Sequence, residues 1–152
     1  VISLLISHLM SEVFDAGFTS CYVYTKPESV LSFQYLVFKE IERVKEDLVF
    51  LENIGNLICP VSYDTGAMKN IAILSVPEGD DKPLKYPMIF AKVDALLISK
   101  MDVMPYFDFD MEKLKERVYA LNKDIEIFPL SAKTGEGMGP WTAWLKQQMG
   151  RM

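Results

Sequence analysis

Residues 47–60 have the sequence Asp-Leu-Val-Phe-Leu-Glu-Asn-Ile-Gly-Asn-Leu-Ile-Cys-Pro, and the prediction of the fold starts from them. Residues 48–51 form a short apolar run of strand-forming side chains, a pattern typical of a buried parallel strand. The run ends at Glu52, and a loop containing Gly55 and Cys59 follows. Open α/β sheets bind their ligands at the carboxyl ends of the strands. The segment therefore offers a carboxylate for a hard cation, a glycine for close backbone approach and a thiol for a soft metal.

Strand-like and helix-like segments alternate along most of the chain. The other predicted strands are residues 21–25, 70–76, 94–98 and 126–130. The predicted helices are residues 1–14, 29–44, 87–92, 110–122 and a last helix that begins at Pro140. Residues 77–87 are predicted to form a polar loop. Because strands alternate with helices from residue 29 onward, we predict an α/β domain with a mainly parallel sheet and helices on both faces.

Composition narrows the class of protein further. The chain has 152 residues, half of them apolar, and a net charge of -5. Negative charge argues against binding nucleic acid through phosphate contacts and against acidic membranes. The two cysteines, Cys21 and Cys59, are too few for a disulfide framework, so the sequence favours a reducing, cytoplasmic setting. The apolar run at residues 1–14 is too short and too polar to span a bilayer.

Two predicted strand ends carry side chains that suit a purine base. The first is Ser99-Lys100-Met101-Asp102, in which the aspartate can accept hydrogen bonds from the ring N–H and the exocyclic amine of guanine. Adenine presents the wrong edge to a carboxylate, so this residue discriminates between the bases. The second is Ser131-Ala132-Lys133, in which a backbone N–H can meet the guanine carbonyl and the lysine can cover the base. Each short motif is common by chance, but their order, with one helix between them, favours a guanine site.

The sequence resembles the HypB family, GTPases that help to insert nickel into hydrogenases. The resemblance covers roughly residues 45–148, and Asp-Lys-Pro-Leu-Lys-Tyr-Pro at residues 81–87 is its most distinctive part. The matching segments are residues 52–60, 78–87, 99–102 and 128–137. The resemblance implies a three-layer P-loop NTPase-like domain at residues 45–152. Residues 1–44 do not resemble the family, and we expect a divergent amino-terminal segment that packs on the domain or precedes it.

The resemblance also implies roles for particular residues. Glu52 would hold the Mg²⁺ of GTP or GDP, and Gly55 would sense the γ-phosphate, so both are candidate catalytic residues. The candidate metal-binding residues are Glu52, for Mg²⁺, and Cys59, which would bind nickel or zinc at the interface of a homodimer. The candidate residues for binding the nucleotide are Ser99, Lys100, Asp102, Ser131, Ala132 and Lys133. The partners would be the hydrogenase large subunit and other nickel-maturation proteins.

Several family features are missing from this sequence. No Gly-x-x-x-x-Gly-Lys-Ser/Thr phosphate loop occurs, so we expect impaired phosphate binding and impaired GTP hydrolysis in this chain alone. The family's Cys-His metal pair is also absent, and Ser99 stands where the family usually has Asn. Because the first residue is Val1, we expect a fragment or a processed piece. Because residues 1–44 do not resemble the family, a misread stretch of coding sequence is the alternative to a divergent segment there. The alternatives are a non-catalytic metal-binding or docking module and a truncated, inactive fragment.

The residues themselves leave plainer interpretations open. Glu52 can be a polar end of a strand, and Cys59 can be a small buried apolar side chain. The charged side chains at residues 80–85 are interpreted as a solvated loop. The alternative is that Lys82 and Lys85 contact phosphate or a dimer partner.

Overall fold

The structure is a computed structural model that describes residues 20–24, 48–52 and 67–150. The strands are β1 Ser20–Tyr24, β2 Leu48–Glu52, β3 Ile71–Ser75, β4 Ala95–Ser99 and β5 Glu126–Pro129. The α-helices are α1 Lys82–Lys85, α2 Pro87–Phe90, α3 Met111–Leu121 and α4 Met138–Met149. Two 3₁₀ helices, Val76–Glu78 and Met101–Tyr106, complete the described elements. No helix in these ranges is long and apolar enough to cross a membrane.

Every strand pair in the described residues is parallel. Strand β1 pairs with β2, and Tyr24 lies opposite Glu52 at the carboxyl end of the pair. Strands β1 and β2 belong to one compact unit, and residues 68–144 form a second. In the second unit the strand order is β3-β4-β5. Ser75 lies opposite Ser99 there, so the ends of β3 and β4 are level.

Strand β4 is the centre of the three-stranded sheet and is buried along its whole length. Its sequence Ala-Leu-Leu-Ile-Ser shows no polar alternation, because both faces of a central parallel strand are covered. The side chains of Leu96 and Ile98 are fully buried. Each such side chain contributes about 1.5–3 kcal/mol through removal from water. The core that holds the carboxyl end of β4 in place is therefore mainly hydrophobic.

Helix α3 shows how the sequence sets the limits of a helix. Asp110 is the N-cap, and its Oδ1 accepts the backbone N–H groups of Glu112 and Lys113 at 3.1 and 3.0 Å. Leu114 and Val118, four residues apart on one face, are fully buried. The helix delivers the chain to β5 on the far side of β4.

Helix α4 is anchored by aromatic rings. Trp141 stacks on Trp144 at a centroid distance of 5.4 Å, and Phe128 of β5 packs against both rings. The Trp144 indole N–H donates to Glu126 Oε1 at 3.2 Å. The two tryptophans therefore hold α4 against the end of β5, as their apolar spacing predicts.

The described strands and the helix at residues 110–122 agree with the prediction to within about two residues. The last helix starts at Met138, ahead of Pro140, because a proline is tolerated in the first turn of a helix.

The prediction of a loop over residues 77–87 was wrong. That segment contains the end of a 3₁₀ helix and all of α1, and in both elements a proline occupies the first turn. The predicted helices at residues 1–14 and 29–44 lie outside the described residues, and the division at residue 44 stays a prediction.

Candidate guanine-base site at the ends of strands β4 and β5

The backbone joins the ends of β4 and β5 beyond the last paired strand residues. The Leu130 N–H donates to the Ile98 carbonyl at 2.9 Å, and the Met101 N–H donates to the Leu130 carbonyl at 3.2 Å. These two bonds bring the segment after β4 against the segment after β5. The two predicted base-binding motifs therefore lie side by side.

Asp102 lies in the first turn of the 3₁₀ helix Met101–Tyr106, at this junction. Its Oδ1 accepts a hydrogen bond from the Ser131 hydroxyl at 2.6 Å. The ammonium of Lys133 lies 4.0 Å from its Oδ2, and the Asp102 side chain is 16% exposed. An ionised carboxylate has about four lone-pair positions for hydrogen bonds. Asp102 therefore keeps acceptor capacity for donors on a ligand.

Lys100 has an unusual backbone conformation, with φ 62° and ψ 40°. It is the one described residue other than glycine with a positive φ. A left-handed conformation costs a non-glycine residue about 1–2 kcal/mol, and such strain is concentrated at ligand sites. The sharp turn at Lys100 ends β4 and starts the helix that carries Asp102.

Ser131 is fully buried and is held by hydrogen bonds on every polar group. Its N–H donates to the Glu136 carbonyl at 2.8 Å, and its carbonyl accepts from the Gly135 N–H at 2.9 Å. Its hydroxyl oxygen also accepts from the Thr134 N–H at 3.3 Å. A hydroxyl that accepts from the backbone of its own turn is oriented to donate to Asp102. The turn thus fixes both members of the pair.

The two residues after Ser131 complete the turn. Ala132 is half-buried and Lys133 is exposed. Within the described ranges, neither the Ala132 N–H nor the Lys133 N–H has a hydrogen-bond partner. The turn thus presents an N–H donor without a partner beside the Asp102 carboxylate, which has free acceptor positions. A guanine edge requires these two kinds of group, a donor and an acceptor. The predicted N–H donor of this turn is therefore Ala132 or Lys133, because the Ser131 N–H is already used.

The structure does not bring every predicted residue into this cluster. Ser99 is buried at the end of β4, but its hydroxyl makes no hydrogen bond to another described residue. Glu52 ends strand β2, as predicted. Gly55 and Cys59 lie outside the described residues. In the part of the chain that the structure describes, no three His, Cys, Asp or Glu side chains gather as a metal site would require.

A second charged junction was missed by sequence reasoning. Asp80, which we interpreted as part of a solvated loop, is only 18% exposed. Its Oδ1 pairs with Arg117 Nη1 at 2.5 Å, and its Oδ2 accepts the Asp110 N–H at 2.8 Å. Asp81 and Lys85 do form an exposed ion pair at 2.5 Å, as a solvated loop predicts. Nothing local marks Asp80, because its cationic partner lies 37 residues further along the chain.

Comparison with solved structures defines the class of protein. HypB from Archaeoglobus fulgidus matches with a TM-score of 0.84 at 25% identity, covering 96% of this chain and 83% of that one. The structure of HypB from Helicobacter pylori in complex with nickel matches with a TM-score of 0.81 at 30% identity, covering 98% and 81%. With its parallel strands and helices, the chain is an α/β protein of the P-loop NTPase-like class.

Sequence relatives agree with the structural matches, although no protein-family model matches the chain. The hydrogenase maturation factor HypB of Azotobacter chroococcum is 46% identical over 113 residues, 74% of this chain. That of Escherichia coli K12 is 48% identical over 101 residues, 66% of this chain. The chain belongs to the HypB family. The matched part spans 37% and 35% of the length of these two relatives.

Proposed function

We propose that this chain binds guanine nucleotides and serves in hydrogenase maturation. The observation that carries the proposal is the hydrogen bond of 2.6 Å between the Ser131 hydroxyl and the Asp102 carboxylate. It joins the two loops that follow β4 and β5, and it leaves acceptor capacity on Asp102. The names of the curated relatives, hydrogenase maturation factors, support the second part of the proposal.

The chemistry of the base explains the proposed specificity. Asp102 would accept the N1–H and the exocyclic amine of guanine, and a free N–H of the Ala132 turn would donate to the guanine carbonyl. Lys100 and Lys133 would cover the faces of the base with their aliphatic stems. Adenine offers an acceptor and a C–H at the edge where guanine offers two donors. Because each hydrogen bond to a charged group contributes about 1.5–3 kcal/mol, we expect discrimination of about 100-fold or more.

The phosphate end of the nucleotide would depend on residues after strand β2. Glu52 would hold Mg²⁺, and Gly55 would approach the γ-phosphate, which water would attack to release GDP and phosphate. The sequence contains no Gly-x-x-x-x-Gly-Lys-Ser/Thr segment to supply a cradle of N–H groups and a lysine. We therefore propose that the chain alone binds GDP and GTP with similar affinity and hydrolyses GTP poorly.

Titration with fluorescently labelled GDP, in competition with GTP, ATP and xanthosine diphosphate, tests this proposal. We expect unlabelled GDP and GTP to compete and ATP not to compete. In Asp102→Asn the preference should move towards xanthosine diphosphate, because xanthine presents a carbonyl acceptor where guanine presents its amine donor. Equal competition by ATP would refute the guanine site. Mg²⁺-dependent turnover by the wild-type chain would instead refute the impaired phosphate end.

Metal binding is the second candidate function, and the missing phosphate loop favours it as an activity independent of hydrolysis. A solved HypB structure in complex with nickel supports nickel as the metal, with zinc as the alternative. We propose that Cys59 is a ligand of the metal and that two copies of the chain complete the site in a homodimer. The partners would be the hydrogenase large subunit and other nickel-maturation proteins. The cysteine content supports a cytoplasmic setting for this activity.

Calorimetric titration with Ni²⁺ and Zn²⁺ tests the metal proposal. Cys59→Ala should abolish binding, while Cys21→Ala, the matched control, should retain it. Light scattering with and without metal should show a dimer only in the proteins that bind. If both cysteine variants bind Ni²⁺ as the wild type does, the proposal for Cys59 is wrong. If GTP leaves metal binding unchanged, the result favours the alternative of a non-catalytic metal-binding module.

A further inference from the structure

Two glycines with a positive φ lie in the turn that holds Ser131. Gly135 has φ +78° and Gly137 has φ +75°, so both adopt a conformation that L side chains rarely accept. They differ in their surroundings. A Cβ on Gly135 would meet nothing within 4 Å, whereas a Cβ on Gly137 would lie 2.0 Å from the Pro129 carbonyl oxygen and 2.9 Å from Leu130 Cα. Gly137 therefore marks a point of backbone-to-backbone contact.

The atoms that Gly137 approaches cannot move away freely. Leu130 donates its N–H to Ile98 and accepts from the Met101 N–H, so its backbone is held by both sides of the junction with β4. The carbonyl of Glu136, the residue just before Gly137, accepts the Ser131 N–H at 2.8 Å. A side chain at position 137 would push Glu136 away from the end of β5. The hydrogen bond that orients Ser131 would then lengthen or break.

We propose that Gly137 is a positioning residue for the base site. Its contact with Pro129 and Leu130 holds the Glu136 carbonyl beneath the Ser131 N–H, and this aims the Ser131 hydroxyl at Asp102. Gly137 itself contacts no ligand. The inference rests on the proposed guanine specificity for its functional consequence, while the geometry of the turn is measurable without any nucleotide.

Gly135 provides the matched control, because alanine at either position imposes the same backbone strain and only position 137 adds a collision. Labelled GDP and ADP are titrated against the full chain in the wild type, Gly137→Ala and Gly135→Ala. We expect Gly137→Ala to lower GDP affinity about tenfold or more, the loss of one charge-assisted contact, and to reduce the preference for GDP over ADP. Gly135→Ala keeps its N–H bond to the Ser131 carbonyl and adds no collision, so it should lose less GDP affinity and less of the preference for GDP than Gly137→Ala does. Asparagine, which tolerates a positive φ, should behave as alanine does at each position.

Amide hydrogen exchange supplies a readout that needs no nucleotide. The Ser131 amide of the wild-type chain should exchange slowly because of its bond to Glu136. That protection should persist in Gly135→Ala and be lost in Gly137→Ala. General destabilisation would accelerate exchange across the core and would leave the ratio of GDP to ADP affinity unchanged.

The outcomes separate the inference from the proposed function. Equal GDP affinities and equal Ser131 protection in the two alanine variants would overturn the role of Gly137 while guanine binding stands. Rapid exchange of the Ser131 amide in the wild type would also overturn it. Failure of the wild-type chain to bind GDP, with Ser131 protected, would overturn the guanine site and the functional role of Gly137 but leave the geometry of the turn intact.

Discussion

Asp102 and Asp80 are exposed to nearly the same extent, 16% and 18% of the side chain, yet their surroundings differ. Asp80 has an arginine on one carboxylate oxygen and the Asp110 N–H on the other. Asp102 has one serine hydroxyl, and its nearest ammonium is 4.0 Å away. The first carboxylate is occupied by its own protein, and the second keeps acceptors for something else. The two carboxylates therefore differ in the partners that they have within the protein, and not in burial.

The largest expected effect is on nucleotide binding at Asp102. Asp102→Ala should lower GDP affinity by about 100-fold or more, because two hydrogen bonds to a charged acceptor are lost. The free energy of unfolding should fall by about 1–2 kcal/mol, because the buried Ser131 hydroxyl loses the acceptor of its proton and keeps only the bond that it accepts from Thr134. Titration with labelled GDP and denaturation in urea measure the two quantities. A variant that unfolds readily and still binds GDP would reverse the assignment of the two aspartates.

The opposite pattern is expected for Asp80. A fully buried ion pair costs 3–5 kcal/mol when one partner is removed, and partial exposure reduces this for Asp80→Ala to about 2–3 kcal/mol. GDP affinity should change by less than about threefold, because the junction lies outside the base loops. Urea denaturation of Asp80→Ala, Arg117→Ala and the double variant measures the loss. If the double variant loses the full sum of the single losses, the two side chains do not act as a pair.

A smaller effect should appear as a pH dependence at Asp110, which joins the Asp80 junction through its backbone. The hydrogen bond from the Lys113 N–H, followed by the Lys113 ammonium, holds the pKa of Asp110 below its usual 3.8. Because the folded pKa is the lower one, the ionised carboxylate stabilises the fold above the usual pKa, and this contribution is lost as pH falls through the folded value.

Asp110→Asn separates the cap from the charge. The amide oxygen can still accept from the helix N-terminus, but it does not titrate in this range. The Tm of the variant should therefore fall less steeply than that of the wild type as the pH falls below about 5. Thermal unfolding across this range provides the measurement. Parallel curves for the two proteins would show that Asp110 makes no pH-dependent contribution.

The smallest effect is expected next to Asp80 in the sequence. Asp81 and Lys85 are 44% and 58% exposed, and their ion pair lies in solvent. Lys85→Ala should change the Tm by less than about 1 °C, and added salt should not alter the result, because exposed ion pairs contribute little. Thermal unfolding at low and high salt checks this. A loss as large as that of Asp80→Ala would mean that exposure does not separate the two neighbouring aspartates.

Much of the fold could be predicted from local patterns. The apolar runs at residues 71–75 and 95–99 mark strands because only a covered parallel strand lacks polar alternation. Asp110 marked the start of α3 because a short acceptor side chain satisfies the free N–H groups of a first turn. Residues 77–87 were mispredicted because their polar composition concealed two short helices, each with a proline in its first turn.

Local sequence alone determined which residues are candidates to bind guanine: a carboxylate after one strand, and a serine turn after the next. Which atoms are free to do so was decided only by the tertiary structure. It places Ser131 on Asp102 and commits the Ser131 N–H to Glu136, and it places Arg117 on Asp80. The reason is that hydrogen-bond capacity belongs to each side chain, whereas its use depends on partners that lie up to 37 residues away along the chain.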